Sequence, residues 1–536
     1  MRARWGLVVL VLFTAVLHHG ALRNEFYWDD RPLIVEGHLV RSWSSVPAIF
    51  THEMWFNADL GERAPRAKID TYRPLSNLSF LVDYQIYGPN PAGFHATNLL
   101  IHLACVVLAS LVFSIFASPP FALLGAAIFA LHPMTLEPIH YAAARTDSLA
   151  ALFIFLATWL FFRKKPTRIT AIMVSAAFLC GALVKETALF FPVFAVGTLA
   201  VQKRRMHVPN VAMIIASLGS ALAVYFFLRL NALGGAKAIE SDTHTVEMLL
   251  NYPSFVFRFF KTAFIPLWPM PMQTISIVRP PANATVWFSA FGFYTLSAFI
   301  LFFCFRRSPT LGAIGAWVLL ALAPPFAAVS MIEEFNPRYL YPALLGFAGS
   351  LAYILHRWSE KNLAVKLPLI VGWLSCCVLA TLTFYRSADY RTEETFYRGI
   401  LNDGPHSVTA EFNLGNTLFR HKRWEEAIPL YTEVVRRRPD HVSAINNLGM
   451  AHLSLNQPGS AAPYFERAVA FQPGNERYRF NLYLAERDRG HLEKAYAYLE
   501  EVLSISPDDE GARQELTRIC GKNPPEILRK ECQATR

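Results

Sequence analysis

Charge is what this 536-residue sequence has least of. Only 17% of its residues are charged, against about 25% in soluble domains. Hydrophobic residues make up 53%, with a mean hydropathy of +0.28. The scarcity is uneven, with charges sparse before about residue 385 and dense after it. A simple soluble protein is excluded, and two regimes in one chain imply a membrane part and an aqueous part. Cysteine is also scarce, at seven. Cys105, Cys180, Cys304, Cys376 and Cys377 fall in apolar stretches and read as small core residues. No Cys/His cluster has metal-ligand spacing, and His95, His102, His132 and His140 form no ligand set. A transporter would show charges at mid-membrane and symmetry between its halves; both are missing. The formal charge of +10 is no nucleic-acid footprint, because much of it sits in short loops between apolar segments.

Apolar spans are expected near 5–22, 95–116, 120–138, 147–162, 169–184, 186–201, 209–228, 286–305, 309–330, 339–356 and 367–385. Each approaches the roughly 20 residues that cross a bilayer core. Arg2 and Arg4, Arg163 to Lys165, Lys203 to Arg205, Arg306 and Arg307, and Arg357, Lys361 and Lys366 then share one side. The positive-inside rule makes that side cytoplasmic, the N-terminus included. The stretch 248–268 carries Arg258, Lys261, Pro253 and Pro266. A crossing there would put Arg306 and Arg307 outside, so an amphipathic helix on the external face is expected. The first segment reads as an uncleaved anchor rather than a signal peptide.

This topology gathers ionisable residues on the outer face. Trp28-Asp29-Asp30 follows the first span in a loop over 23–94, which also holds Arg73. His95, Glu137, Arg145, Asp147, Lys185, Glu186, Arg338 and Tyr339 lie at the outer ends of later spans. Single residues there can snorkel or pair locally, but an acidic pair at the mouth of a membrane helix is costly to keep unless it is used. Arg145, Lys185 and Arg338 are the candidates to hold a phosphate leaving group. Asp29 or Asp30 is the candidate base, with Arg73, His95, Glu137, Asp147, Glu186 and Tyr339 in support. A phosphate stabilised by cations departs without protonation, whereas an acceptor hydroxyl is a poor nucleophile that needs a base. This is the equipment for moving a sugar from a polyprenyl phosphate, with inversion in a single displacement by analogy with inverting glycoside chemistry. These residues name no certain cofactor; a divalent metal at Asp29 and Asp30 is left open.

After residue 385 the sequence repeats every 34 residues. Ala427, Ala461 and Ala495 keep the period, as do Pro439, Pro473 and Pro507, and Leu414, Leu448 and Leu482. Gly415 and Gly449 follow the first two leucines and Tyr483 the third, while Tyr431, Phe465 and Leu499 fill a large-residue slot. This is the tetratricopeptide pattern, with small residues where paired helices approach. The expected fold is all-α: a polytopic transmembrane helical bundle of about eleven spans over 1–385, a linker at 386–407, an α-solenoid of about three repeats over 408–509, and a cap at 510–536. Concave repeat surfaces bind peptide or protein, so an acceptor protein is the expected partner beside a lipid-linked sugar and membrane lipid. Cys520 and Cys532 flank Asn523-Pro524-Pro525 in the external cap and are expected to form a disulfide.

Taken in order, the motifs resemble a known family. They are Trp28-Asp29-Asp30, Tyr72-Arg73-Pro74-Leu75, Gly93-Phe94-His95 with Asn98 and His102, and His132-Pro133 with Glu137. Ala144-Arg145-Thr146-Asp147, Lys185-Glu186 and Arg338-Tyr339-Leu340-Tyr341-Pro342 complete the series. Together they resemble the TMTC-type protein O-mannosyltransferases of the GT-C superfamily, which also end in tetratricopeptide repeats. The resemblance implies a polyprenyl-phosphate-linked mannose donor and Ser/Thr hydroxyls of exported proteins as acceptors. It places the essential acid in the first external loop, at Asp29 or Asp30, with Asp29 favoured. The compact chain reads as a bacterial inner-membrane form, or an ER form in a eukaryote, with its repeats periplasmic or lumenal. The alternatives are the same chemistry on a lipid or polysaccharide acceptor, and a non-enzymatic scaffold using its repeats for assembly.

Overall fold

The computed structural model describes residues 2–56, 71–163, 167–201, 208–235, 242–267, 271–274, 277–279, 282–332, 334–361, 366–404 and 407–520. The chain divides into two compact units, Met1–Phe396 and Tyr397–Arg536. The division falls inside the expected linker, which is itself partly helical, over Glu393–Asp403. Phe396 belongs to the first unit, where its ring packs on Tyr27 and Tyr390 at 4.7 and 5.6 Å.

In the first unit helices occupy every expected span. Among the described residues seven are long and apolar enough to cross a membrane: Arg4–Arg23, Pro91–Phe113, Ala142–Phe162, Val211–Ala232, Ala284–Arg307, Pro309–Phe326 and Leu367–Tyr390. Arg168–Val184 and Glu186–Leu199 are shorter apolar helices, and Tyr341–Lys361 stands at the expected tenth span. On Ala284–Arg307 the side chains of Phe288, Phe291 and Phe299 are 75%, 70% and 64% exposed. Lipid accepts such a face and water does not, so the chain is a multi-pass membrane protein. The core between helices is rich in alanine and phenylalanine, including Ala126, Ala130, Ala151, Phe129 and Phe155. In lipid, helices associate through close packing, and small residues let their backbones approach.

One expectation changes. The span at 120–138 is broken, because Pro119–Leu131 and Pro133–His140 meet at 57°. His132 is extended, its side chain accepts the Met134 N–H at 3.2 Å, and Pro133 has no N–H to continue the ladder. The fold is all-α as expected; among the described residues a two-residue antiparallel ladder, Gln273–Thr274 with Glu334–Phe335, joins two loops. The amphipathic helix expected at 248–268 is Asp242–Phe264, with Phe255 and Phe259 buried and Phe257 and Phe264 exposed.

The second unit is a run of three helix pairs. Val408–Arg420 pairs with Trp424–Arg437, Val442–Ser454 with Pro458–Phe471, and Glu476–Asp488 with Leu492–Ile505; Glu510–Cys520 follows. The period has a steric cause. A side-chain carbon on Gly415 would meet the Tyr431 ring at 2.7 Å, and one on Gly449 the Phe465 ring at 2.7 Å. In the third pair the large slot shrinks to Leu499, and Tyr483 fits where glycine stood. Amide bonds run from Asn481 to Asn446, Asn446 to Asn447 and Asn447 to Asn416, at 2.7, 3.2 and 2.8 Å, tying the pairs together. Cys520 is disulfide-bonded; Cys532, and with it the expected pairing, lies outside the described residues.

Candidate functional site

The turn after the first span separates the two acids. Trp28 has a positive φ of 51°, a strained value for a bulky residue. Asp30 is fully buried; its Oδ2 accepts the Tyr27 N–H at 3.2 Å and its Oδ1 the Ala143 N–H at 2.7 Å. Burial pushes its carboxyl well above the ordinary range, with those N–H bonds acting in opposition. Asp29 is half-buried and lines a cavity, while its N–H donates to the Tyr141 hydroxyl at 3.0 Å. One acid therefore lines the cavity and its neighbour braces the backbone.

The cavity holds about 520 Å³, its open mouth included. Arg73, Lys185, Arg338, Glu186 and Tyr339 share its wall with Asp29, and Trp55, Leu33, Pro324 and Pro325 supply apolar surface. All three cations stand at helix breaks. Arg73 precedes the helix Pro74–Tyr87, Lys185 separates Arg168–Val184 from the turn Glu186–Leu189, and Arg338 lies in the turn Pro337–Leu340. Pro74 and Pro337 enforce two of these breaks.

Each cation is held by acids. Arg73 grips Glu186 through two parallel bonds, Nε to Oε2 at 2.9 Å and Nη2 to Oε1. Lys185 Nζ donates to Asp147 Oδ1 at 2.6 Å and stands 4.6 Å over the Tyr339 ring. Arg338 Nη1 lies 3.3 Å from Glu137 Oε1, and its Nε 3.8 Å from Asp147 Oδ2. The Arg338 guanidinium also sits 5.3 Å from the rings of Trp28, Tyr141 and Tyr339. Glu137 Oε1, Asp147 Oδ2 and Arg338 Nε make no hydrogen bond, so these contacts are ionic and leave the Arg338 Nε–H unspent. Burial pulls the Lys185 ammonium down to about 8, with Asp147 opposing. Three cations share the wall with two carboxylates, Glu186 bound to Arg73 and Asp29 beside them, an arrangement that can hold a phosphate beside a base.

Arg145, expected beside Lys185 and Arg338, does not line the cavity. It is fully buried between the rings of Phe80 and Phe94, at 5.1 and 5.6 Å. Its Nε donates to Asn98 Oδ1 at 2.6 Å, its Nη1 to Ser79 O at 3.2 Å, and its Nη2 to Phe94 O at 2.9 Å and to Asp83. Those bonds occupy each of its nitrogens, so it clamps Pro74–Tyr87 to Pro91–Phe113 instead of facing a ligand. Arg73, expected in a supporting place, fills the third cation position. His95 is buried against Ile139 O at 3.4 Å, away from the cavity. Glu137 and Asp147 stand behind the wall as counter-charges. Asp83, Tyr141 and Trp55 are not among the sequence candidates; an aspartate inside the apolar helix Pro74–Tyr87 is the signal that marks Asp83.

The acidic pair does not fit a divalent cation. Both Asp30 oxygens accept backbone N–H bonds, and Asp30 is absent from the cavity wall. Among the described residues no group of three His, Cys, Asp or Glu side chains has metal-binding geometry.

The tetratricopeptide repeat family model matches residues 396–442, 412–476 and 446–510. Human protein O-mannosyl-transferase TMTC4 is 25% identical over 499 residues, 80% of this chain and 66% of its own. Mouse protein O-mannosyl-transferase TMTC3 is 24% identical over 490 residues, 79% of this chain and 50% of its own. Over most of its length this chain is similar to the TMTC-type protein O-mannosyltransferases. A mouse TMTC1 match is higher in identity but local, 34% identical over 167 residues, which is 29% of this chain and 17% of that one. The chain thus spans at most 66% of the length of these relatives. Among solved structures, YrrB, a TPR protein with an unusual peptide-binding site, is 21% identical with a TM-score of 0.23, covering 32% of this chain and 86% of its own.

Proposed function

We propose that the first unit is an inverting membrane glycosyltransferase that moves mannose from a polyprenyl phosphate to Ser/Thr hydroxyls of exported proteins. The observation that carries this reading is the shared cavity of Asp29 with Arg73, Lys185 and Arg338. The acceptor oxygen attacks the sugar C1 as Asp29 takes its proton. The C1–O bond to phosphate breaks, and its electron pair leaves on the polyprenyl phosphate, whose added charge the three cations neutralise without a proton. Attack and departure on opposite faces invert C1. The sugar is read from the names of the TMTC relatives. The basic loops support a cytoplasmic N-terminus. Cavity and repeats then face the periplasm or the ER lumen, and the repeats present the acceptor protein.

The test is transfer by the purified full chain from polyprenyl-phosphate mannose to an acceptor protein, beside mass spectrometry of exported proteins from a deletion strain. Hexose on Ser/Thr that is lost on deletion is the expected result. An unchanged exported glycoproteome together with no transfer in vitro overturns the reading.

A further inference from the structure

We infer that Tyr141 is a positioning residue that holds the catalytic base and the phosphate-binding cation in register with each other. The inference rests on the transferase reading above. Tyr141 is fully buried and absent from the cavity wall, so it touches no substrate. Its hydroxyl accepts the Asp29 N–H at 3.0 Å. The Arg338 guanidinium lies 5.3 Å over its ring. The same ring stacks at 13° on both Trp28 and Tyr27, at 5.6 and 5.4 Å. One side chain thus meets the backbone of the base and the plane of the cation.

The turn needs such a brace. Trp28 sits at a φ of 51°, and a bulky residue stays in that region only when its surroundings over-determine it. The hydroxyl on Asp29 and the stacked ring on Trp28 supply that constraint from outside the turn. Tyr141 is itself held from behind. Asn98 Nδ2 donates to Tyr141 O and Ala142 O at 3.1 and 3.3 Å, and Asn98 Oδ1 accepts the Arg145 Nε–H at 2.6 Å. Ala143, two residues on, gives its N–H to Asp30. The buried Arg145 clamp therefore reaches the cavity through the segment 141–143, whose hydroxyl and N–H grip both acids. Geometry at this level matters because displacing a reacting group by about 1 Å costs on the order of 100-fold in rate.

The two functions of Tyr141 separate by substitution. Tyr141→Phe keeps the ring beside Arg338 and removes only the acceptor for the Asp29 N–H. Tyr141→Leu removes both. Each variant of the full chain is assayed for transfer from polyprenyl-phosphate mannose to an acceptor peptide, and for donor binding without acceptor. For Tyr141→Phe, kcat falls about tenfold while the donor Kd stays within about twofold of wild type. For Tyr141→Leu, the donor Kd also weakens several-fold. Intact donor binding by Tyr141→Phe reports that the site is folded. Wild-type kcat in the Phe variant, or equal losses of kcat and donor affinity in both variants, overturns the inference. So does a Phe variant that neither folds nor binds donor, since the hydroxyl is then a requirement of the fold. Asp29→Asn in the same assay separates this from the parent reading. If Asp29→Asn still transfers, the transferase site itself is wrong; if it does not and Tyr141→Phe is normal, only the role of Tyr141 falls.

Discussion

Lys185 Nζ donates to Asp147 Oδ1 at 2.6 Å, and the other oxygen of that carboxylate faces Arg338 Nε at 3.8 Å. One buried anion holds two like charges together at the cavity wall. Removing it takes the hydrogen-bonded counter-charge from Lys185, while Arg338 keeps Glu137, at a site where water screens poorly. Asp147→Asn is expected to lower stability by about 3–5 kcal/mol, the range for breaking one side of a buried ion pair. Polyprenyl phosphate, as a replacement anion, should restore part of it. Thermal unfolding in detergent, with and without that lipid, is the measurement. A wild-type melting temperature without lipid would remove Asp147 from this role.

The Lys185 ammonium gives donor binding a pH dependence. Burial lowers it to about 8, so the positive charge is complete well below that pH and is lost above it. A bound phosphate favours the charged form and raises that pKa. Donor binding therefore takes up a proton above pH 8, and affinity falls as pH rises, by up to about tenfold per unit. Below about pH 7 the affinity should be flat with respect to Lys185. Lys185→Arg should abolish the alkaline weakening, because guanidinium stays charged throughout. Donor titrations across this range decide it, and a wild-type Kd that does not change through pH 9 would mean that Lys185 makes no phosphate contact.

Asp29 and Asp30 should separate cleanly despite their adjacency. Asp29→Asn keeps the shape but cannot take a proton, so transfer falls about 100-fold or more while donor binding survives. In Asp30→Asn a buried acceptor of the Tyr27 and Ala143 N–H groups is replaced by a group that brings its own donors inside. Stability falls by about 1–3 kcal/mol, and transfer per folded molecule falls much less than in Asp29→Asn. Rates normalised to the donor-binding fraction are the readout. The opposite order of rates would exchange the two roles.

The repeats are the most legible part of this chain, because their period is a contact written directly in sequence. Gly415 is small since Tyr431 occupies the space, and the relation recurs at Gly449 and Phe465. Membrane helices are legible as hydropathy, and the expectation that Lys185 and Arg338 lie on one face follows from loop charge alone. Hydropathy does not show the break at His132, because an apolar run looks the same on either side of it. Nor does charge tell which acid a cation meets. Arg145 pairs with Asp83, 62 residues away, and is spent inside the bundle, whereas Arg73 reaches Glu186, 113 residues away, and stays on the cavity wall. Those choices are tertiary, made by helix packing.

The repeat turns carry a correctable strain. Lys422, Asn456 and Gly490 have φ of 61°, 56° and 80°, and they stand 34 residues apart, at one position of the repeat. Glycine occupies that left-handed conformation freely and asparagine tolerates it. Lysine has no such allowance; for an ordinary L-residue the region costs about 1–2 kcal/mol. The Lys422 side chain is exposed, so its removal should disturb little packing. Lys422→Gly relieves the strain but loosens the unfolded chain by about 0.5–1 kcal/mol. The net expectation is a stabilisation of up to about 1 kcal/mol, confined to the first helix pair and its neighbour. Gly490→Ala should do the reverse, destabilising the third pair by about 1–2 kcal/mol. Hydrogen exchange on the full chain resolves both, since it reports opening element by element. Slower exchange across Val408–Arg437 in Lys422→Gly, and faster exchange across Glu476–Ile505 in Gly490→Ala, are the expected results. Faster exchange in Lys422→Gly would mean that the lysine side chain makes a contact worth more than the strain it imposes.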